Sequence, residues 1–493
     1  MSIKLENRRP PKRTKIVATL GPASANEEVL RQMILAGLDV VRINFSHSQP
    51  ETLGPLVELV RRLSDELNVP IAILGDLRGP RIRVGEMENG SIELVAGQKV
   101  VLTPQPVIGT PQQISVSFSQ LAGDARVGSL LLLDDGNLEL QVEEIKGNGD
   151  VVCRVRQGGR LSSHRGINLP GLRVSLPSIT KKDYADVDFA IAHQFDFLAL
   201  SFVQSANDVR QLNAYLASEG AKIPVIAKIE KKGALDDIEA IVREAYGVMV
   251  ARGDLALEMS IQDVPIAQKR IISACRREAI PVITATQMLE SMLESHKPTR
   301  AEATDVANAI LDGTDALMLS GETAIGKYPA ETIATMAAIA LRTEQACLSG
   351  ELPCWPEVDS PRGIDANVAY ASQVVAQAID AKAIVIHTTT GATARRVSCH
   401  RPLIPVLALT SHPASRRRLA LTWGVESDLV ESIRNTHHMV TLAFDHVLNR
   451  GIAAPGETIV ITAGTPYGTA GRTNMLKVEQ IISPTSDQEV HDD

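Results

Sequence analysis

Residues 223–254 read IPVIAKIEKKGALDDIEAIVREAYGVMVARGD. An apolar run at 223–229 is followed by an amphipathic stretch and then a second apolar run at 247–251, and each run ends in charged residues. Short buried strands alternating with helices indicate a parallel α/β fold. The pattern extends in both directions, with further runs at 16–20, 40–45, 71–75, 197–202, 281–285 and 316–320. Eight such strands are what a closed (β/α)8 barrel requires. Most begin about 24–34 residues after the one before, the length of one βα unit.

The exception is the 126 residues between Ile71 and Phe197. The surplus, residues 80–176, has another texture. Turn signals at Asn89–Gly90, Asp135–Gly136 and residues 147–149 separate strand-like runs at 99–102, 130–133 and 151–155. It reads as a small β-barrel domain inserted into a βα loop, over the face where barrel active sites lie, and so as a lid. Residues 1–79 and 177–345 then form one discontinuous barrel. Prolines and glycines in 350–364 mark a junction. A C-terminal three-layer α/β domain follows over 346–483, with a helix at 366–379, strands at 383–387, 405–410, 457–463 and 475–481, and an acidic tail at 484–493.

Composition narrows the function. The 493 residues are 44% hydrophobic and 22% charged, with a net charge of −8. That bulk field attracts neither nucleic acid nor anionic lipid. No apolar run is long enough to span a bilayer, and the basic start lacks the apolar region of a secretory signal. The five cysteines are scattered, with no Cys-x-x-Cys pair, which points to neither a disulfide framework nor a zinc site and suits a cytoplasmic protein.

The strand ends carry the chemistry. The second run ends in Arg42, Asn44, Ser46 and His47, the third in Asp76, the fifth in Lys228 and Glu230, the sixth in Arg252 to Asp254, and the seventh in Thr286. In a barrel these ends converge. Lys228 and Glu230, two apart, face the same side. Any one lysine–glutamate pair is usually a surface ion pair. Polar residues at five strand ends in register, with Arg42 and Arg83 nearby, instead suit a divalent metal on oxygen ligands beside a phosphate. His437–His438, His193 and His412 read as ordinary surface, packing or cap residues, and Glu28–Arg31 and Glu290–Glu294 as solvated helix faces.

The chain resembles the pyruvate kinase family at TKIVATLGPAS (14–24), VRINFSH (41–47), IAKIE (226–230), ARGD (251–254), ITATQMLESM (283–292), PTRAE (298–302), DVAN (305–308) and MLSGET (318–323). The resemblance implies phosphoryl transfer from phosphoenolpyruvate to ADP in glycolysis. It places Mg2+, with Mn2+ as an alternative, on Glu230 and Asp254. Lys228 falls over the transferring phosphoryl group, backbone N–H groups around Gly253 and Asp254 at the substrate carboxylate, and Thr286 near the enolate carbon. Arg42, Asn44, His47, Arg83 and Lys182 match positions around the nucleotide and transferred phosphate, although His47 suits loop packing equally well. Potassium-dependent members hold that ion at the equivalents of Asn44, Ser46, Asp76 and Leu77 and carry a glutamate where this chain has Arg81. Arg81, with Leu77 and Val84 in place of threonines, resembles the potassium-independent branch, a guanidinium replacing the ion.

The turn TTTGAT (388–393), then Arg395 and Arg396, and the loop TPYGTAGR (465–472) resemble the family's site for a phosphorylated effector. Thr388, Thr389, Thr390, Thr393 and Arg472 would hold a sugar phosphate or AMP. Homotetramers are expected by the same resemblance. Two competing readings are a magnesium-dependent aldolase or lyase of the phosphoenolpyruvate-related barrels, and a metabolite sensor without catalysis.

Overall fold

The computed structural model describes residues 9–46, 50–172, 174–353, 355–356, 358, 363–468 and 471–482. His47 and the acidic tail lie outside them. Eight parallel strands close into a barrel: Lys15–Thr19, Val40–Asn44, Ala72–Asp76, Phe197–Leu200, Val225–Ile229, Gly247–Ala251, Val282–Ala285 and Ala316–Leu319, each beside its neighbour in sequence and the last pairing with the first. Strands 197–200 and 225–229 are shorter than their apolar runs. Phe202 has left the strand at φ 55°, and Pro224, which has no N–H to give, precedes Val225.

Side chains alternate along each strand. Val17, Leu74, Phe197, Ile226, Met249 and Ile283 fill the barrel, while Ile73, Leu198 and Val250 pack outward against helices. The inner cluster continues into Ala420 and Leu421 of the C-terminal region, so the end of the barrel away from its mouth is stoppered by the rest of the chain. Helices are anchored where sequence predicts capping: Thr180 and Asp183 form a reciprocal capping box at Lys181–Ala192, as do Thr299 and Glu302 at Arg300–Asp312.

Between the third and fourth barrel strands, the segment from Ser91 to Asn168 pairs into a six-stranded sheet and a two-stranded sheet. Both share one apolar core, including Ile92, Leu94, Val100, Leu140 and Leu161. A bridge from Arg83 to Gly166 ties its entry to its exit, and one from Val84 to Val116 ties the entry to the interior of the segment. The C-terminal region is a five-stranded sheet in the order Val425–Leu429, Val406–Thr410, Ile384–His387, Thr458–Ala463, Met475–Gln480, with only the last strand antiparallel. The strand at 425–429 escapes sequence reading because its Glu426 and Asp428 break the apolar run. No helix among the described residues is long and apolar enough to cross a membrane.

Barrel and C-terminal sheet are joined by buried ions. Arg401 donates to Asp315 at 3.0 Å and to the Gly313 carbonyl at 2.6 Å, with the two side chains 2% and 7% exposed. Removing one member of such a pair strands the other charge. Arg401→Met is expected to lower unfolding stability by about 3–5 kcal/mol in urea titration, whereas loss of an exposed pair such as Arg342–Glu351 should leave the urea midpoint almost unmoved.

Candidate active site

The C-terminal ends of the barrel strands bring the expected residues together. Asp76, 2% exposed, is the hub: one carboxylate oxygen accepts from Arg42 Nε at 2.6 Å, the other from Lys228 Nζ at 3.2 Å. Arg42 also donates to Thr19 Oγ1 at 2.8 Å. Lys228 reaches Glu230 at 2.9 Å, as their spacing on one strand face requires, and donates to Ser201 Oγ at 2.7 Å. Ser201 in turn donates to the Leu77 carbonyl at 2.7 Å. The second oxygen of Glu230 accepts from the Phe202 N–H at 2.8 Å.

This packing sets the charges. Burial works against the Lys228 ammonium, but Asp76 and Glu230 outweigh it and lift its pKa to about 12. Burial opposes the Asp76 carboxylate too, yet Lys228 and Arg42 hold it below the usual range. Glu230 moves up, through burial and the nearby Asp254 charge, against the pull of Lys228. The site thus presents a fixed cation beside a carboxylate that is short of positive partners.

That shortage fits a divalent metal. No group of three or more His, Cys, Asp or Glu side chains with metal-binding geometry occurs among the described residues. Glu230 and Asp254 are two carboxylates whose charges repel, and Mg2+ characteristically takes one or two carboxylates and completes its shell with substrate oxygens and water.

Thr286 stands at the end of the seventh strand with φ 71°, a left-handed conformation that costs a β-branched residue about 1–3 kcal/mol. Its hydroxyl donates to the Ala285 carbonyl at 2.6 Å and accepts the Gly253 N–H at 2.8 Å. Arg252 fixes the turn by donating to the Thr286 carbonyl at 2.7 Å and pairing with Asp305 at 2.8 Å. The Gly253 N–H, expected to face a carboxylate, is therefore already shared with Thr286.

The remaining residues ring this centre. Lys182 donates to the Phe45 carbonyl at 3.0 Å and pairs with Asp186 at 2.7 Å, which brings it beside Asn44, whose Oδ1 accepts the Ser46 N–H at 3.0 Å. Arg83 stays on the inserted sheets, donating to the His164 carbonyl at 2.8 Å, and makes no ion pair with the central cluster. Arg81 is exposed and lines a cleft of about 80 Å3 between insert and barrel, together with Lys231, Phe202 and Asp254. Ser201, Phe202 and Thr19 were not foreseen as functional. The signal was available, since Ser201 and Phe202 directly follow the fourth strand and Thr19 ends the first.

A second cavity, about 290 Å3, lies at the strand ends of the C-terminal sheet and is lined by Thr388, Thr389, Thr390, Thr393, Tyr467 and Arg472. The Thr388 hydroxyl accepts the Gly391 N–H at 3.0 Å, shaping the turn, and Thr393 bonds Thr473 at 2.6 Å. Arg396 also lines it, whereas Arg395 turns away to stack 4.3 Å over Tyr246. His438 bonds Glu431, a cavity residue, at 3.0 Å and is largely covered, so it is not the free helix surface expected.

Lining the cavity, buried His387 donates from Nε2 to the Met439 carbonyl at 3.0 Å, while its Nδ1 has no partner among the described residues. Burial lowers its pKa to about 4. The unfolded chain then takes up a proton between the ordinary histidine pKa and pH 4 that the folded chain refuses. Stability should fall by about 3 kcal/mol as pH drops through that window. Urea unfolding of His387→Asn at pH 7 and pH 4.5 should show a flatter pH dependence than the parent chain.

Residues 11–333 match the family described as pyruvate kinase, barrel domain, and residues 366–479 match pyruvate kinase, alpha/beta domain. Pyruvate kinase 2 of Synechocystis sp. is 46% identical over 96% of this chain and 80% of its own length. Pyruvate kinase of Mycobacterium tuberculosis is 42% identical over 95% and 98% respectively. A solved pyruvate kinase from Cryptosporidium parvum superposes with a TM-score of 0.89 at 35% identity, covering 95% of this chain and 96% of the other. Two family matches spanning barrel and C-terminal sheet, and relatives alike along nearly the whole chain, agree with the geometry: the chain belongs to the pyruvate kinase family.

Proposed function

We propose that the barrel mouth transfers the phosphoryl group of phosphoenolpyruvate to ADP, giving pyruvate and ATP, so that the chain is a glycolytic phosphotransferase. The observation that carries this reading is Lys228, held charged and nearly buried between Asp76, Glu230 and Ser201. A fixed ammonium there meets the charge that spreads over the phosphoryl and enolate oxygens during transfer. Arg42, locked by Asp76 and Thr19, adds a second cation aimed at the same phosphoryl group. Backbone N–H groups around Gly253 and Asp254 receive the substrate carboxylate, the Gly253 N–H sharing itself with Thr286 or giving up that bond, and Thr286 lies near the enolate carbon where a proton must arrive. Asn44, Lys182, His47 and Arg83 serve the nucleotide side, with Arg83 arriving when the insert closes and excludes water.

Mg2+, or Mn2+ in its place, would be held by Glu230 and Asp254, and when bound it supplies charge neutralisation between substrate and phosphoryl oxygens. Potassium is dispensable in this reading. The Asp76 oxygens are already engaged by Arg42 and Lys228, the Leu77 carbonyl by Ser201, and Arg81 shares the cleft with Asp254. Pyruvate formation should run equally fast in KCl and in NaCl of the same ionic strength, and Arg81→Glu should make the rate respond to K+. A parent chain active only with K+ would remove the role given to Arg81 and leave the transfer reaction standing.

The threonine-lined cavity suits a phosphorylated effector, a sugar phosphate or AMP, through Thr388, Thr389, Thr390, Thr393 and Arg472. A division into a barrel at 1–79 and 177–345, a lid at 80–176 and an effector domain at 346–483 belongs to the same reading and is supported by the separate sheets and apolar cores. A homotetramer in the cytoplasm completes the reading.

A further inference from the structure

A cavity of about 430 Å3 opens at the end of the barrel opposite the mouth, where strand Lys15–Thr19 and the turn at Asn68–Pro70 meet the C-terminal sheet. Its charged lining is unbalanced. Asp39, 5% exposed overall, accepts from Arg9 at 3.0 Å and Lys12 at 2.5 Å. Lys15 is 7% exposed, yet among the described residues its ammonium donates only to a carbonyl, that of Val425 at 2.8 Å. Across the cavity, Arg450 is already matched by Glu426 and by Asp428 at 2.6 Å. Among the described residues, Arg9, Lys12, Lys15 and Arg450 therefore meet Asp39, Glu426 and Asp428, which leaves the nearly buried Lys15 ammonium as the cation without a carboxylate partner.

An uncompensated buried charge is costly unless something pairs with it. Burial, with Arg9 and Lys15 adding to it and Asp39 opposing, lowers Lys12 to about 8. A phosphate monoester carries about −1.5 to −2 charges at neutral pH, enough to pair with Lys15 and to draw on Arg9 and Lys12 beside it. Val69, Pro70 and Ile452 supply apolar wall for an organic group, and the volume falls within the ~300–1,000 Å3 of small-molecule sites.

We propose that this cavity is a binding site for a phosphate monoester, separate from both the barrel mouth and the threonine-lined cavity, with Arg9, Lys12 and Lys15 as its anion ligands. Its walls come from the barrel and from the C-terminal sheet, so an occupant bridges the two and restricts their relative motion.

The test is calorimetric titration of the full chain, free of phosphoenolpyruvate, with inorganic phosphate and with AMP as probes. Arg9→Gln and Lys15→Met are compared with Thr393→Val, which alters the threonine-lined cavity instead. Besides any event at the threonine-lined cavity, the expected result is a binding event that persists in Thr393→Val and weakens at least about tenfold in Arg9→Gln and Lys15→Met. Phosphate binding without AMP binding, with the same variant pattern, also supports the anion site and confines it to small ions. The absence of any binding event that Arg9→Gln weakens and Thr393→Val spares, or no heat from either probe at millimolar concentration, overturns the proposal. Arg9 decides the matter if Lys15→Met fails to fold, because its side chain is 27% exposed and its loss leaves Asp39 paired with Lys12.

Discussion

Lys228→Met should lower kcat by at least about 1,000-fold, some 4 kcal/mol of lost transition-state stabilisation, while the fold survives. The expectation follows from placement. Lys228 is 12% exposed in its side chain, its charge is fixed by Asp76 and Glu230, and among the described residues no other lysine pairs with this cluster. Methionine keeps the aliphatic stem and removes the charge. Asp76 retains Arg42 at 2.6 Å after the change, so the carboxylate is not left alone, and far-ultraviolet circular dichroism should match the parent. A loss confined to KM would mean uniform binding and not transition-state stabilisation. Ser201→Ala offers a graded companion: the ammonium keeps its two carboxylates but loses the hydroxyl that orients it, so kcat should fall far less.

Glu230→Gln has the second large effect, on metal binding. Mutating even the outer partners of metal ligands costs about 10–100-fold in affinity, and a direct ligand should cost at least the upper end, about 100-fold in the Mg2+ concentration giving half-maximal rate. Glutamine keeps the acceptor for the Phe202 N–H, so the strand end is not deformed. Asp254→Asn, at a more open position on the first turn of the helix Arg252–Glu258, should give a similar shift without touching the buried cluster. Direct titration with Mn2+, followed by its electron paramagnetic resonance signal, separates weaker metal binding from slower chemistry. Unchanged Mn2+ affinity in both variants would place the metal elsewhere.

Much of this was readable from residue order, and the reasons are physical. A buried parallel strand must be apolar along its whole length, so runs such as 247–251 stand out, and a polar residue just beyond such a run has to face the mouth. That logic located Asp76, Lys228, Glu230, Asp254 and Thr286 together. It could not show who bonds to whom. Ser201 looks like any strand-terminal serine until the barrel closes and sets it between Lys228 and Leu77. The left-handed turn at Thr286, which draws its hydroxyl to Gly253, leaves no trace in composition. The strand at Val425–Leu429 was hidden because an edge strand tolerates Glu426 and Asp428, both paired with Arg450. The charge surplus around Lys15 is likewise invisible in order alone, since Asp39, Val425 and Arg450 are brought to it only by the packing of barrel against sheet.

The most direct test of the central claim is pyruvate and ATP formation from phosphoenolpyruvate, measured with ADP and Mg2+ both present and with each withheld. The account predicts pyruvate and ATP in equal amounts, and neither when ADP or the metal is omitted. Pyruvate released without ADP would show a lyase or phosphatase at the barrel mouth. No pyruvate from the folded chain under any condition, with sugar phosphates and AMP supplied, would show a metabolite sensor. Either result would contradict phosphoryl transfer by the Lys228 cluster.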